Sequence, residues 1–380
     1  YGVGFFSIYL MWIKEPFFLN DLTKIYFIFS YLLIIYCSLF FGIIFVILKF
    51  FNNILIKFIV FPSIIVSAEW LCANLSYGFP WFSFSLIHAA NFTGTSIIFY
   101  MGTYGLSFFS IVIFLFPAIF VIKDLREKKI ILKIYITLFI ILTACIISRV
   151  KTNDNNSVNQ VSISLAQINL PINRTSDIAK IEDKFKYIED IIKNNDSDIL
   201  VFAENNYPFF LKKENSEALQ KLVNPETALI IGSTRKENEN YYNSMFLINS
   251  KKIYKFDKKI LVPFGEFVPL RKLFGFMDFI AGSSDFSTGR DVRKLKLSDS
   301  LKILPAICYE ILYFWKMLDY TNNDTNLIIN ITNDSWFGSF SGPYQHFYFS
   351  KLRAAEFNKP LIRVSNNGIS AAINSYGTIV

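Results

Sequence analysis

The sequence predicts an α-helical membrane domain followed by an α/β domain. Three observations carry that reading. The chain is 53% hydrophobic, with 42 Phe among 380 residues, and its mean hydropathy is +0.37. Those values exceed what a soluble core requires and point to membrane spans. The apolar excess is confined to residues 1–149, whereas residues 151–380 have the composition of an ordinary globular domain. Within that second part, short apolar runs alternate with amphipathic stretches, the pattern of strands alternating with helices.

The first half sets out its spans in order. Residues 25–48 form a run of 24 without a charge, long enough to cross a bilayer. A second span runs over 57–72, interrupted by Glu69. A third lies within 91–122 and a fourth over 130–148, bounded by Arg149. Residues 1–13 read as the end of another span. The chain opens at Tyr1 inside an apolar stretch and closes on a strand-like run at 377–380. Both ends therefore read as cut, which leaves the membrane domain (1–149) N-terminally incomplete and the second domain (150–380) without a final span.

The loops orient these spans. Lys123, Arg126, Lys128, Lys129 and Lys133 crowd one loop, while 73–94 holds no Lys or Arg. Basic loops stay on the cytoplasmic side. The 123–133 loop is therefore inside, and everything after about residue 150 is expected outside the cytoplasmic membrane. The polar run 151–160 reads as a linker. The net charge of +8 comes from scattered residues with no dense basic run, which argues against nucleic acid and for a membrane-surface contribution.

In the second half, strands are expected at 161–165, 198–203, 228–232, 242–249, 301–308, 326–332, 361–365 and 369–374. Helices are expected at 177–194, with Ile178, Ile181, Phe185, Ile188 and Ile192 on one face, and at 343–358, ending before Pro360. Reactive groups in α/β sheets gather past the carboxyl ends of strands. Glu204, Cys308 and Asn333-Asp334 each stand there, and Lys258 follows the strand containing Ile253-Tyr254. Cys37, Cys72 and Cys145 lie in the apolar half and read as small hydrophobes. Cys308 is the only cysteine of the polar half, so it has no disulfide partner there.

A cysteine that attacks an acyl carbon needs a base and a partner for the oxyanion. The chain has two His. His88 falls in the membrane half, and His346 at a helix start reads as a structural residue satisfied by backbone, with a Cys308–His346 dyad as the competing reading. Without His, a carboxylate of raised pKa serves as base and a lysine stabilises the oxyanion.

Cys308-Tyr309-Glu310 after an apolar strand, Lys258 before the run Leu-Val-Pro-Phe-Gly-Glu-Phe-Val-Pro containing Glu266, and Glu204 after its own strand resemble the carbon–nitrogen hydrolase (nitrilase) superfamily. The runs Thr-Asn-Asp-Ser-Trp-Phe-Gly at 332–338, Gly-Pro-Tyr-Gln-His at 342–346, Ser-Asn-Asn-Gly at 365–368 and Gly-Phe-Pro-Trp at 78–81, with the spans, resemble its membrane branch, the apolipoprotein N-acyltransferases. The resemblance covers essentially the whole chain and implies an αββα sandwich held outside the bacterial inner membrane. It implies Glu204 as general base, Lys258 as oxyanion partner and Cys308 as nucleophile, with Glu266 behind them and Tyr309 and Glu310 beside them. Trp336 and Phe337 read equally as core packing or as lining of an acyl pocket.

The implied reaction moves an acyl chain from a phospholipid donor, through a Cys308 thioester, to the terminal amine of a diacylglyceryl-modified lipoprotein. It needs neither cofactor nor metal. A membrane-tethered amidase that releases the acyl group to water would use the same three residues. A lipoprotein-binding scaffold would not need them. Two features depart from the family pattern. Ala203 stands where Pro usually precedes the base, and the loop 171–176 lacks the usual Trp. Residues 267–281, apolar but interrupted by Arg271 and Lys272, are expected to form a lid dipping toward lipid.

Overall fold

The computed structural model describes residues 2–19, 21–126, 129–151, 161–170, 178–274, 278, 284–318 and 324–380. Among them, four helical stretches are long and apolar enough to cross a membrane: Thr23–Lys49, Ile54–Asn74, Phe92–Val121 and Lys129–Val150. They match the four expected spans to within a few residues. Local chemistry fixes two of their starts. Asn53 accepts the Leu55 N–H at 2.8 Å and Asn91 accepts the Gly94 N–H at 2.8 Å, each satisfying a backbone donor that a helix start leaves open. Residues 1–13, expected as the tail of a span, include the short helix Gly2–Tyr9 and a 3₁₀ turn, Met11–Lys14.

The second half is built on two five-stranded sheets. The first runs β1 (Ile163–Ala166), β2 (Ile199–Phe202), β3 (Ala228–Glu237), β4 (Asn240–Ile248), β5 (Ile253–Asp257). The second runs β10 (Ala371–Ile373), β9 (Leu361–Ser365), β8 (Leu327–Thr332), β7 (Lys302–Ile307), β6 (Leu295–Lys296). In the first sheet β1-β2-β3 pair in parallel and β3-β4-β5 antiparallel; in the second the central β7-β8-β9 pair in parallel and the edge strands β6 and β10 antiparallel.

Side chains on a strand alternate faces. Ile199, Val201 and Ala203 enter one core with Ile303, Ile307, Ile329 and Ile331 of the other sheet. Leu200 and Phe202 face the opposite way, onto Ile188, Ile192 and Leu219 of the helices Ile178–Lys193 and Lys213–Leu222. The helix Ser341–Phe357 packs on the second sheet through Phe347, Phe349 and Ala354. The result is the αββα sandwich implied by the resemblance. The same core continues into the membrane half through Phe6, Trp12 and Trp81.

Some boundaries differ from the sequence reading. β3 runs to Glu237 rather than Gly232 because its polar half pairs with β4 as a hairpin, Glu237 opposite Asn240. Asn238 turns the corner at a φ of 54°, a conformation Asn tolerates better than most residues. The helix Lys213–Leu222 and the two-residue β6 carry too weak an apolar signal to be read in advance.

Candidate active site

The loops after β2, β5, β7 and β8 bring the candidate residues together. Glu204 follows β2, Lys258 follows β5 and Cys308 follows β7, and all three are at most 5% exposed. Lys258 Nζ lies 2.9 Å from the Glu266 carboxylate and 3.5 Å from Glu204 Oε1. Asn243, which the sequence reading did not single out, donates from Nδ2 to Glu204 Oε1 at 2.7 Å and to Glu266 Oε1 at 2.8 Å. Glu266 Oε2 also accepts the Val262 N–H at 2.9 Å.

Cys308 sits at a φ of 50°, in the left-handed region where a side chain other than Gly is strained. The turn ends β7 abruptly and starts the 3₁₀ helix Cys308–Leu312. Glu310 holds this turn in place. Its carboxylate accepts the N–H groups of Ile307 at 2.8 Å, Lys259 at 2.8 Å and Ile260 at 3.2 Å. Arg293 pairs with it through both terminal nitrogens, at 2.9 and 2.7 Å. Burial opposes ionisation of Glu310, but the Arg293 guanidinium outweighs it and holds the carboxyl below its usual range. Glu310 therefore ties the chain just after Lys258 to the chain just before Cys308. It does not line the cavity, contrary to the expectation based on its adjacency to Cys308. Tyr309 does line it, and its hydroxyl lies 3.4 Å from the Gly78 carbonyl of the membrane half.

His346 is not placed to serve Cys308 as a base. Its Nδ1 lies 2.8 Å from Asp334 Oδ1 and its Nε2 3.2 Å from the Cys308 carbonyl oxygen. Arg363 closes this buried group by donating to Asp334 Oδ2 at 2.6 Å. Asp334, at the end of β8, thus supports the Cys308 backbone through His346. Asn366 bridges loops of both sheets: its Oδ1 accepts from Asn206 Nδ2 at 3.0 Å and from the Leu170 N–H at 2.8 Å.

Electrostatics suit a buried carboxylate base. Burial raises the Glu204 carboxyl above its ordinary range, against the pull of Lys258. Burial likewise raises the Cys308 thiol, helped by the Glu204 charge and opposed by Lys258. Burial alone would lower Lys258, but Glu266 and then Glu204 more than reverse this and keep its ammonium charged. Lys258 thus stands as a fixed cation beside Glu204, and its charge also acts on Cys308.

One cavity of about 960 Å³ holds these groups. Glu204, Lys258 and Cys308 line it together with Phe29, Leu32, Leu33 and Tyr36 of the first membrane stretch. Trp336 and Phe337 line it as well. The Phe337 ring stands edge-on to Trp12 and Trp81, with centroids 4.8 and 5.0 Å away. Gln345 fixes both indoles, its Oε1 accepting from Trp12 Nε1 at 2.9 Å and Trp81 Nε1 at 2.7 Å. So Phe337 both packs and lines the cavity. Phe274 of the expected lid also lines it, and the Arg271–Phe274 turn leaves Leu270 and Leu273 exposed. Residues 275–277 and 279–281 of that segment, and the loop 171–176, lie outside the described residues. No group of three or more His, Cys, Asp or Glu able to hold a metal occurs among the described residues.

A strand-end Glu, Lys and Cys on an αββα sandwich define a class, and the family comparison agrees: residues 162–380 match the model described as carbon-nitrogen hydrolase. The chain belongs to that family. Residues 1–116 match a second model, the apolipoprotein N-acyltransferase N-terminal domain. The chain is 33% identical to the apolipoprotein N-acyltransferase of Rickettsia typhi over 345 residues, covering 85% of this chain and 66% of that protein. It is 30% identical to that of Rhodopseudomonas palustris over 338 residues, 82% of this chain and 63% of that one. A 197-residue stretch is 40% identical to that of Allorhizobium ampelinum, 48% of this chain and 37% of that protein. The chain thus spans just under two thirds of the length of the first two relatives.

Proposed function

We propose that this chain works as an N-acyltransferase that moves an acyl chain from a phospholipid to the terminal amine of a lipid-modified lipoprotein. The observation that carries the reading is the single cavity. It places Cys308, Glu204 and Lys258 in one space with the apolar face of a membrane-spanning helix. A lipid donor and a lipid-anchored acceptor both reach such a site from the bilayer, so the membrane supplies proximity. The names of the relatives point the same way.

The residues divide the work as follows. Glu204 takes the Cys308 proton as the sulfur attacks the ester carbonyl. Lys258 stabilises the developing oxyanion. Collapse expels the lysophospholipid alkoxide, which takes the proton back from Glu204 and leaves a thioester on Cys308. The acceptor amine then attacks the thioester, Glu204 removes its proton, and the departing thiolate is reprotonated. Each half uses the same base and the same cation. The basic loop 123–133, as a cytoplasmic loop, supports a sandwich held on the outer side of the bacterial inner membrane.

The test is to incubate purified protein with phospholipid and look for a hydroxylamine-labile acyl adduct on Cys308, then add a diacylated lipopeptide. Transfer of the adduct to the peptide amine is the expected result. An adduct that decays into free fatty acid at the same rate with or without peptide would show a hydrolase instead.

A further inference from the structure

The two donors facing Glu204 share one of its oxygens. Asn243 Nδ2 and Lys258 Nζ both approach Oε1, at 2.7 and 3.5 Å. The same two nitrogens approach Glu266 Oε1, at 2.8 and 2.9 Å. Two donors and two carboxylate oxygens thus alternate in a buried ring. Asn243 has two amide hydrogens, and the ring uses both. A flipped amide would turn its oxygen onto two carboxylates, so the orientation is dictated by charge. The consequence is visible on the other side, where the buried Asn243 Oδ1 has no hydrogen-bond partner among the described residues. Leaving an acceptor unmade costs stability, so the amide is held where it is for what its nitrogen does. The backbone strengthens the hold, since the Lys258 N–H donates to the Asn243 carbonyl at 2.8 Å.

We propose that Asn243 is a positioning residue that selects which oxygen of Glu204 carries the transferred proton. With Oε1 occupied by donors, a proton arriving from Cys308 Sγ–H can settle only on Oε2. The S–H bond breaks, the electron pair stays on sulfur, and the O–H bond forms on Oε2. The return step runs over the same oxygen, so donor and acceptor halves are served without rotation of the carboxyl. This assignment deepens the acyl-transfer reading and rests on its use of Glu204 as base.

The test reads the Cys308–Glu204 pair without any acyl substrate. The rate of alkylation of Cys308 by iodoacetamide is measured across pH for wild type, Asn243→Ala, Asn243→Ser and Glu204→Gln, and for Asn243→Ala combined with Glu204→Gln. An amide hydrogen bond favours the charged carboxylate. Its removal should move the acid limb of the profile upward, by ~1 pH unit for one hydrogen bond to a charged group. Asn243→Ser, which keeps a hydroxyl donor in the ring, should move it less. In the Glu204→Gln background Asn243→Ala should cost no more than about twofold further, since the proton acceptor is already gone. A limb that stays at the wild-type position in both Asn243 variants, or losses that multiply in the double variant, would overturn the assignment. If wild type shows the limb and the Asn243 variants shift it, but wild type fails to transfer acyl groups, the acyl-transfer reading falls and the role of Asn243 stands.

Discussion

The carboxylate of Glu356 accepts the backbone N–H of Thr103 at 2.7 Å, across 253 residues of sequence. Thr103 follows Gly102, whose φ of 68° breaks the helix Phe92–Leu115 in its middle. The break frees a backbone donor, and a side chain of the sandwich satisfies it. Arg353 completes the contact by pairing with Glu356 and donating to Thr103 Oγ1 at 2.6 Å. The kink in a membrane helix is therefore held by the domain that carries the reactive residues. Glu356→Ala should leave Arg353 buried without its partner, a loss of about 3–5 kcal/mol. Gly102→Ala should cost about 1–3 kcal/mol, because a φ of 68° with a ψ of −179° is a backbone conformation essentially reserved for Gly. Thermal unfolding in detergent checks both, and an unshifted Tm for Glu356→Ala would show that the contact holds nothing.

The burial-raised carboxyl of Glu204 predicts the pH dependence of turnover. A base works only when ionised. Its folded pKa lies above the ordinary value, so activity should fall as pH drops through a point higher than the ~4.3 of a free Glu. Glu204→Gln should erase this limb and reduce the rate ~10²-fold or more. Lys258→Met should lose ~10²-fold or more by removing the oxyanion charge. The double variant should lose far less than the product, because base and cation serve one proton transfer and one oxyanion. Initial rates with a fluorescent phospholipid give all three, and multiplicative losses would assign the residues to separate steps.

Cys308→Ala and Cys308→Ser should both abolish transfer while leaving the fold intact. Cys308 lies at the end of β7, where Glu310 accepts the Ile307 N–H and His346 meets the Cys308 carbonyl, and neither contact involves the sulfur. Unchanged elution on size exclusion together with full activity in either variant would remove the nucleophile assignment.

These assignments divide by how far the sequence alone could reach. The spans and the apolar strands were legible because hydrophobic period and length are local properties. Glu204, Lys258 and Cys308 were legible because each stands in a recognisable run at a strand end. Asn243 was not, although it touches two of the site carboxylates. It sits in β4 within Tyr-Tyr-Asn-Ser, where nothing local separates it from a polar strand residue, and only the packing of β4 beside β5 brings it to Glu204. Arg293 was missed for the same reason, since its partner is set by long-range folding. Glu310 was placed too near the substrate because adjacency in sequence to Cys308 was read as adjacency in space. The tight 3₁₀ turn after Cys308 sends its carboxylate back onto the backbone of Ile307 instead.

The asymmetry of basic loops predicts that the sandwich lies outside the cytoplasmic membrane. Asn224 is exposed in the loop between the helix Lys213–Leu222 and β3. A cysteine placed there, in a Cys308→Ala background, should react with a membrane-impermeant maleimide in intact spheroplasts. Labelling seen only after lysis would reverse the topology.

The turn Arg271–Phe274 makes the last prediction. Leu270 is 66% and Leu273 71% exposed, while Phe274 lines the cavity and meets Phe264 edge-on at 5.8 Å. Val268, just before it, is buried against Phe17 of the membrane half. The segment is thus held through Val268, Arg271, which pairs with Asp278 and Asp285, and Phe274, and it presents two leucines to the surroundings. Their side chains make little internal packing, so replacing them should cost the fold no more than about 0.5 kcal/mol. Leucines beside the exposed Lys272 suit an interface, where the apolar groups enter the acyl boundary and the ammonium stays at the phosphates. Leu270→Ser with Leu273→Ser should therefore lower turnover of vesicle phospholipid severalfold. The same variant should keep its rate with a short-chain ester dissolved in water, because Cys308, Glu204 and Lys258 are untouched. Equal loss on both substrates would mean that the turn supports the site from within, and no loss on either would mean that lipid does not pass it.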